Sequence, residues 1–284
     1  MKNTLIIAPI ALMSLGSVQG AAVVYEGFDY NGSIASGGNI AGANGGTGFS
    51  GAWVNTRNSP DYVEPGNTAG TLTVVGGKAQ GGAWSGIARP VVGTLSSLLT
   101  DTSTLWFSLI MDLEGQNQSN ADINVALTNA AKFNSGTFGS RENLDGATNE
   151  GIGVTHSGGN IRAVYWDNAG GRTESGATSL SIGGANPASA LVVGKIEWGA
   201  ATETITLYAP DAALNLGTAI TSLTTAGNLS QAGFNNLAIQ FKDQSRVDEL
   251  RFGATSDDVL GIPEPSSTAL LGLGGLALIL RRRK

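Results

Sequence analysis

The sequence predicts an all-β protein, an antiparallel β-sandwich or jelly roll, and three observations lead there. The 284 residues include 42 Gly but only 16 Lys plus Arg, and Thr, Ser, Asn and Ala fill much of the rest. Such a composition favours strands and turns over long amphipathic helices. Short apolar runs rich in β-branched and aromatic residues recur along the interior with turn residues between them. Within several runs the apolar residues alternate with polar ones, and strands with one apolar face can bury it only against a second sheet.

The runs lie at residues 72–75, 105–113, 123–127, 161–166, 191–198, 204–208, 237–241 and 247–252. Ile196 and Trp198 share one parity while Lys195 and Glu197 take the other, and Ile205 and Leu207 alternate with Thr204, Thr206 and Tyr208. Period-two patterns of this kind mark strands. The loop from Gly199 to Glu203 joins these two runs as a hairpin. A single helical turn is expected at 94–100. The stretch 31–51, dominated by Gly, Asn, Ser and Ala, reads as a long surface loop pinned to the sandwich by Phe49 and Trp53. It lacks the Lys-Ser/Thr pair and the strand-to-helix context of a phosphate-cradling loop.

The two ends carry addresses. Lys2 precedes an apolar run from Leu5 to Leu15, then Ser17, Val18, Gln19, Gly20, Ala21 and Ala22, with small residues where a signal peptidase reads. The apolar run is about half the roughly twenty residues that a membrane-spanning helix needs, so residues 1–22 are expected to be a signal peptide cleaved after Gly20 or Ala22. At the other end Pro263, Glu264 and Pro265 precede an apolar run and then Arg281, Arg282, Arg283 and Lys284. The prolines hold Glu264 extended and accessible, and the cations would stay in the cytoplasm. A helix over 266–280 would span about 22 Å, short of a hydrocarbon core of about 30 Å, so it makes a transient tether rather than a firm anchor. The expected organisation is a signal peptide at 1–22, a sandwich at 23–255, a linker at 256–262 and a tail at 263–284.

The Pro263-Glu264-Pro265 triplet, the short Gly/Leu helix and the Arg-rich end together resemble the PEP-CTERM sorting signal of Gram-negative bacteria. That resemblance implies processing by an exosortase, delivery to the cell surface or outside the cell, and an association with exopolysaccharide. A second resemblance joins Val24-Tyr25-Glu26-Gly27-Phe28-Asp29-Tyr30, the Gly/Asn-rich loop to Trp53, and Arg246-Val247-Asp248-Glu249-Leu250-Arg251-Phe252-Gly253. These are similar to the first and last strands of laminin-G-like, concanavalin A-type jelly rolls, most of which bind glycans or serve as structural modules. Related folds often clamp a structural calcium between those strands, which makes Glu26 and Asp248 the candidate oxygen ligands. Asp248 shares parity with Leu250 and Phe252, so it points inward if they do, and a buried carboxylate needs a partner.

Composition bounds the chemistry. Between the two ends 11 basic residues stand against 21 acidic ones, a formal charge near −10, so nucleic acid is not an expected partner. Cysteine is absent, which removes disulfides, thiol catalysis and Cys-based zinc sites. His156 is the only histidine. It sits beside Ser157-Gly158-Gly159, where a hairpin turn is expected, and no Gly-x-Ser-x-Gly elbow accompanies it. A retaining glycosidase needs two carboxylates about 5 Å apart; Glu142 and Asp145 have the wrong spacing, and Asp248 and Glu249 would face opposite sides of one strand. No catalytic residue is therefore assigned. Tyr165, Trp166, Asp167 and Asn168 form the best sugar-binding candidate, an aromatic face beside polar side chains, whereas Trp106 and Trp198 are expected in the core. The reading is a non-enzymatic, surface-delivered structural or adhesive sandwich in contact with polysaccharide; a carbohydrate-active enzyme or lectin on the same fold is the alternative.

Overall fold

A computed structural model describes residues 22–91, 93–114, 121–134, 142–169 and 171–261. The expected signal peptide, apart from Ala22, and the expected tail with Pro263, Glu264, Pro265, Arg281, Arg282 and Arg283 lie outside the described residues. Among the described residues no helix is long and apolar enough to cross a membrane.

The described strands are, in chain order, β1 (Val24–Glu26), β2 (Gly38–Asn39), β3 (Val54–Arg57), β4 (Asp61–Val63), β5 (Lys78–Gln80), β6 (Ser85–Pro90), β7 (Thr104–Asp112), β8 (Ile123–Thr128), β9 (Gly151–Ser157), β10 (Asn160–Trp166), β11 (Arg172–Glu174), β12 (Ser189–Glu197), β13 (Thr204–Tyr208), β14 (Ala219–Thr224), β15 (Asn236–Phe241) and β16 (Arg246–Gly253), followed by a short helix, α1 (Ser256–Leu260). They form two antiparallel sheets. One runs β14-β13-β12-β7-β16-β5-β4-β2, with β1 also paired to β16; the other runs β11-β10-β9-β8-β15-β6-β3. The chain is the expected all-β sandwich, and its first strand pairs with its last, Glu26 opposite Leu250.

Alternation decides which side chains fill the space between the sheets. Leu105, Phe107, Leu109 and Met111 of β7 face Ile123, Val125 and Leu127 of β8 and Leu237, Ile239 and Phe241 of β15 in one buried cluster. The hairpin of β12 and β13 has the expected register, Glu197 opposite Thr204, and a 3₁₀ turn at Ser96–Leu98 lies within the expected 94–100. Gly194 of β12 sits opposite Phe107, where a Cβ would lie 2.0 Å from the ring. The strand has a glycine there because the ring occupies the space.

Sequence expectation and structure part at several places in the fold. The run at 72–75 is not a strand. Leu72 instead packs with Ile110, Leu191, Val193, Leu214, Val259 and Leu260 on the outer face of the nine-stranded sheet, and β16 side chains meet the backbone of the run: Arg251 donates to the Thr73 carbonyl at 3.0 Å and the Val75 N–H donates to Glu249 at 3.0 Å. Apolar content without ladder partners made a cover, not a strand. The second difference is Asp248. The register of β16 against β7 shifts between Asp248 and Arg251, and Glu249 takes a φ of 52°. A β-bulge inserts a residue and reverses which residues face the core beyond it, so Val247, Leu250 and Phe252 all point inward. Asp248 lies on the outer face opposite Ile110 and is nonetheless fully buried.

The third difference is His156, which lies inside β9 and is fully buried; the turn comes after it, at Gly158 and Gly159. Its Nδ1 is 2.9 Å from the Ala121 carbonyl and so carries the proton, while Nε2 has no partner. Burial pushes the imidazole down to about 4 from a usual 6.5.

Two predictions follow from this packing. Gly194→Ala forces a methyl into Phe107 and is expected to cost about 1–3 kcal/mol, read as a lowered midpoint in urea. His156 is neutral in the folded chain and charges more readily when unfolded, so its contribution is present above about pH 6.5 and is lost as pH falls toward about 4. A His156→Leu variant is expected to lack that part of the acid sensitivity; equal slopes of stability against pH in that window would contradict the assignment.

Candidate functional site

Residues 29–45 enclose a depression of about 560 Å³, bordered by Asp29, Ser33, Asn39 and Asn44 with Ile34, Ala41 and Ala43 between them. The Gly/Asn-rich composition of this stretch reflects how tightly the loop must fold. The Gly42 N–H donates to the Trp53 carbonyl and the Trp53 N–H donates back to Ala43. At Gly46 a φ of 70° combines with a backbone approach that leaves a Cβ only 2.3 Å from the Tyr25 carbonyl, so no side chain fits.

One buried carboxylate holds the loop in place. Glu26, the last residue of β1, accepts from the Phe28 N–H at 2.8 Å, the Tyr30 hydroxyl at 2.8 Å, Trp53 Nε1 at 3.0 Å and Arg89 Nη1 at 2.5 Å. Burial pushes its carboxyl upward, while Tyr30, Arg89, Phe28 and Trp53 pull the other way. Arg89, on β6 of the opposite sheet, also donates from Nε to the Gly51 carbonyl at 2.6 Å and from Nη2 to Asn44 Oδ1 at 2.7 Å. Its guanidinium lies 4.0 Å from the centroid of Phe49. Trp53 is buried and stacks on Phe28 at 5.9 Å, so the loop is pinned by Phe49 and Trp53 as expected.

The polar groups at the rim differ in how far they are already engaged. Asn39 accepts from the Ala41 N–H and donates to Ser59, Asn44 spends its oxygen on Arg89, and Ser33 donates to the Tyr30 carbonyl. Asp29 is exposed and its carboxylate takes no hydrogen bond or ion pair from the described residues. The depression thus offers one free carboxylate, an amide nitrogen on Asn44 and a hydroxyl that can still accept, with small apolar patches between. That mixture suits a ligand rich in hydroxyl groups.

The sequence-predicted sites fare differently. Trp166 is almost wholly buried against Phe133, with ring centroids 5.4 Å apart, and its Nε1 donates to the Glu142 carbonyl at 2.9 Å. Tyr165 is buried on the other side of β10, in the central core. Asp167, half-buried, accepts from the Ala169 and Gly171 N–H groups to close a turn, and Asn168 is exposed. Strand alternation buries both aromatic rings, each against a different layer, so neither presents a face to solvent on which a sugar could stack. Trp198 is in the core as expected. Trp106 is not; it stands half-buried on the outer face, stacked on Tyr208 at 5.8 Å.

Glu26 and Asp248 do not form a joint cation site. Asp248 accepts from the Asn67 N–H at 2.7 Å and the Glu249 N–H at 2.8 Å, in a network that shares no residue with that of Glu26. Burial pushes its carboxyl up to about 8. Each Asp248 oxygen already accepts one N–H, the Glu26 carboxylate already takes four donors, and among the described residues no three His, Asp or Glu side chains converge. Glu26 and Asp248 thus serve two separate hydrogen-bond networks rather than one shared oxygen cage.

The outer face of the seven-stranded sheet carries a second polar group that spacing along the chain did not reveal. Arg172 donates to Glu142 at 2.8 Å and to Asn124 and Thr155 at 3.0 Å each, and pairs with Glu174 at 2.7 Å. Asp122 pairs with Lys242 at 3.4 Å, and burial, with Glu142 adding to it, pushes its carboxyl up to about 6. The only signal in the sequence was the row of outward-facing polar residues at Asn124, Thr155, Arg162 and Gln240, which strand pairing alone could align.

Replacing Glu26 by Gln leaves Arg89 buried without its counter-charge, and the expected cost is about 3–5 kcal/mol in denaturant unfolding. Loss of less than about 1 kcal/mol would show that the pair does not organise this region.

No curated protein matches the chain. Among solved structures it is similar to a protein of unknown function from Shewanella oneidensis MR-1, at 15% identity over 80% of this chain and 90% of that one with a TM-score of 0.44. It is also similar to the CBM2 module of the evolved Dit of Lactobacillus casei BL23 phage J-1, at 11% identity over 83% and 96% with a TM-score of 0.38. A third is the Emp46p carbohydrate recognition domain in its metal-free form, at 8% identity over 64% and 84% with a TM-score of 0.35. At these levels what those proteins bind says nothing about this chain. The last residues match more specifically: behind its β-sandwich the chain carries a PEP-CTERM protein-sorting motif at residues 261–284.

Proposed function

We propose that this is an exported protein of the cell surface or extracellular matrix, released from a transient membrane tether by exosortase, whose sandwich is a structural or adhesive module that binds exopolysaccharide. The observation that carries the binding half is the depression ringed by Asp29, Ser33, Asn39 and Asn44. Its floor is held rigid by the Glu26–Arg89 pair, and pre-formed polar rims of this sort lose little entropy when a hydroxylated ligand docks. Asp29 is the one carboxylate among its lining residues. Binding is therefore favoured over hydrolysis there, which needs two carboxylates. The sorting half rests on the tail motif at 261–284, with the signal peptidase acting at the other end.

Polysaccharide pull-down with the full chain tests the binding half. Asp29→Ala combined with Ser33→Ala is expected to weaken retention by about tenfold or more, since two lost polar contacts at about 1 kcal/mol each exceed that ratio. Both side chains lie at the rim, so the fold should survive. Undiminished retention, or no retention by the unaltered protein, would remove the assignment. For the sorting half, replacing Pro263, Glu264 and Pro265 by Ala is expected to leave the protein in the membrane fraction with its tail uncleaved.

A second reading has one observation in its favour. Burial pushes the Asp122 carboxyl up to about 6 and Glu142 lies near enough to add to the shift, and a carboxyl raised toward neutral pH is suited to general acid work. If the chain is a carbohydrate-active enzyme, Asp122→Asn abolishes release of reducing ends from a polysaccharide that the unaltered chain degrades.

A further inference from the structure

The outer face of the nine-stranded sheet holds a polar cluster that the proposed binding site does not use. Register places Ala79 opposite Val247 and Gln80 opposite Arg246, and Lys78, at the start of β5, lies near enough to Asp248 to act on its charge. Asp112 is opposite Arg246 on the other side of β16. The segment before β5 folds back over this face and lays Asn67 on Lys78. Lys78 Nζ is 2.9 Å from Asn67 Oδ1 and 3.3 Å from Asp112 Oδ2. A carbonyl bond is about 1.23 Å long, so the amine nitrogen stands within about 4 Å of the carboxamide carbon.

Asn67 is held firmly and oddly. Its backbone N–H donates to Asp248 Oδ2 at 2.7 Å, which fixes its position. Its oxygen faces the lysine, while its Nδ2 is buried without any hydrogen-bond partner. A buried amide nitrogen left unpaired costs about 1–3 kcal/mol. Lys78, Asn67 and Asp112 are 7%, 8% and 4% exposed, so water has little access. An amine beside a carboxamide carbon, a carboxylate beside the amine, and an amide nitrogen that nothing retains make up the geometry for amide exchange.

We propose that Lys78 and Asn67 join in an intramolecular isopeptide bond. Asp112 Oδ2 takes one proton from the Lys78 ammonium, and the freed lone pair attacks Cγ of Asn67. The bond from Nζ to Cγ forms. As the tetrahedral intermediate collapses, the bond from Cγ to Nδ2 breaks, and the departing nitrogen takes one proton from the attacking nitrogen and the one held by Asp112. Lysine ammonium and carboxamide become a secondary amide and ammonium, balanced in atoms and charge, with Asp112 returned to its starting form. No oxidant or cofactor enters. The link ties the covering segment to β5 over the outer apolar cluster of Leu72, Ile110 and Leu214, in a chain that has no cysteine with which to make a disulfide.

Intact mass and a peptide map of the purified, folded full chain test this. The expected mass is lower, by one ammonia, than that calculated from the mapped termini, with a branched peptide joining Asn67 to Lys78 and no tryptic cut after Lys78. Lys78→Met and Asn67→Ala are expected to show the full calculated mass, and Asp112→Asn to form the link slowly or not at all. The unaltered protein carries the decisive readout, so a variant that fails to fold does not blunt the test. Three results overturn the proposal: the full mass persisting in folded protein after long incubation, an ammonia loss that maps to a succinimide at Asn31-Gly32, or a water loss that joins Lys78 to Asp112.

Discussion

The ion pair of Glu26 and Arg89 is the constraint around which one end of the molecule is arranged. Glu26 belongs to the sheet that contains β16 and Arg89 to the sheet that contains β15, so the pair bridges the two layers where the first strand ends. Removing two charges from water is costly, and an apolar replacement of equal volume is often as stable. Its value lies in specificity. The three hydrogen bonds of the arginine and the four on the carboxylate, one of them shared, tie Phe28, Tyr30, Asn44, Gly51 and Trp53 to one geometry, and the glycine-rich loop takes its shape from them.

A second constraint operates at the last strand. The bulge at Asp248 and Glu249 turns β16 so that its apolar residues on both sides of the bulge reach the core, and it pushes two carboxylates to the opposite face. Those carboxylates then need cover. Glu249 receives Arg251 at 2.6 Å, the Tyr25 hydroxyl at 3.2 Å and the Val75 N–H, and Asp248 receives Asn67. The irregular segment from Pro65 to Val75 is therefore held by polar contacts to β16 and by apolar contacts to Ile110 and Leu214 rather than by a ladder. The same fold-back brings Asn67 onto Lys78.

Much of the fold was legible because most runs obey a single period. Residues 105–113, 123–127, 191–198 and 204–208 lie within a residue or two of β7, β8, β12 and β13, since alternation along a strand is a local property. The run at 72–75 failed because apolar content alone does not distinguish a strand from a covering segment. Asp248 was misplaced because parity counting assumes an unbroken strand. The candidate site was legible only in outline: glycines marked the loop at 31–51 and aromatics marked its anchors, but Arg89, 63 residues from Glu26, carried no local sign of its partner. Trp166 looked like a platform because a neighbouring Asp and Asn suggested an open loop, whereas the cluster of Phe133, Leu144 and Ala126 covers it.

The sequence by itself determined the β class, the positions of several central strands, the loop and the sorting motif at the C-terminus, because each is written in contiguous residues as a period, a composition or a short pattern. Tertiary structure alone decided which carboxylates are paired, which aromatics are covered and where an open polar depression remains. Those outcomes depend on contacts between residues tens to hundreds of positions apart, and on a single bulge that reverses a face. Neither leaves a trace in local order along the chain.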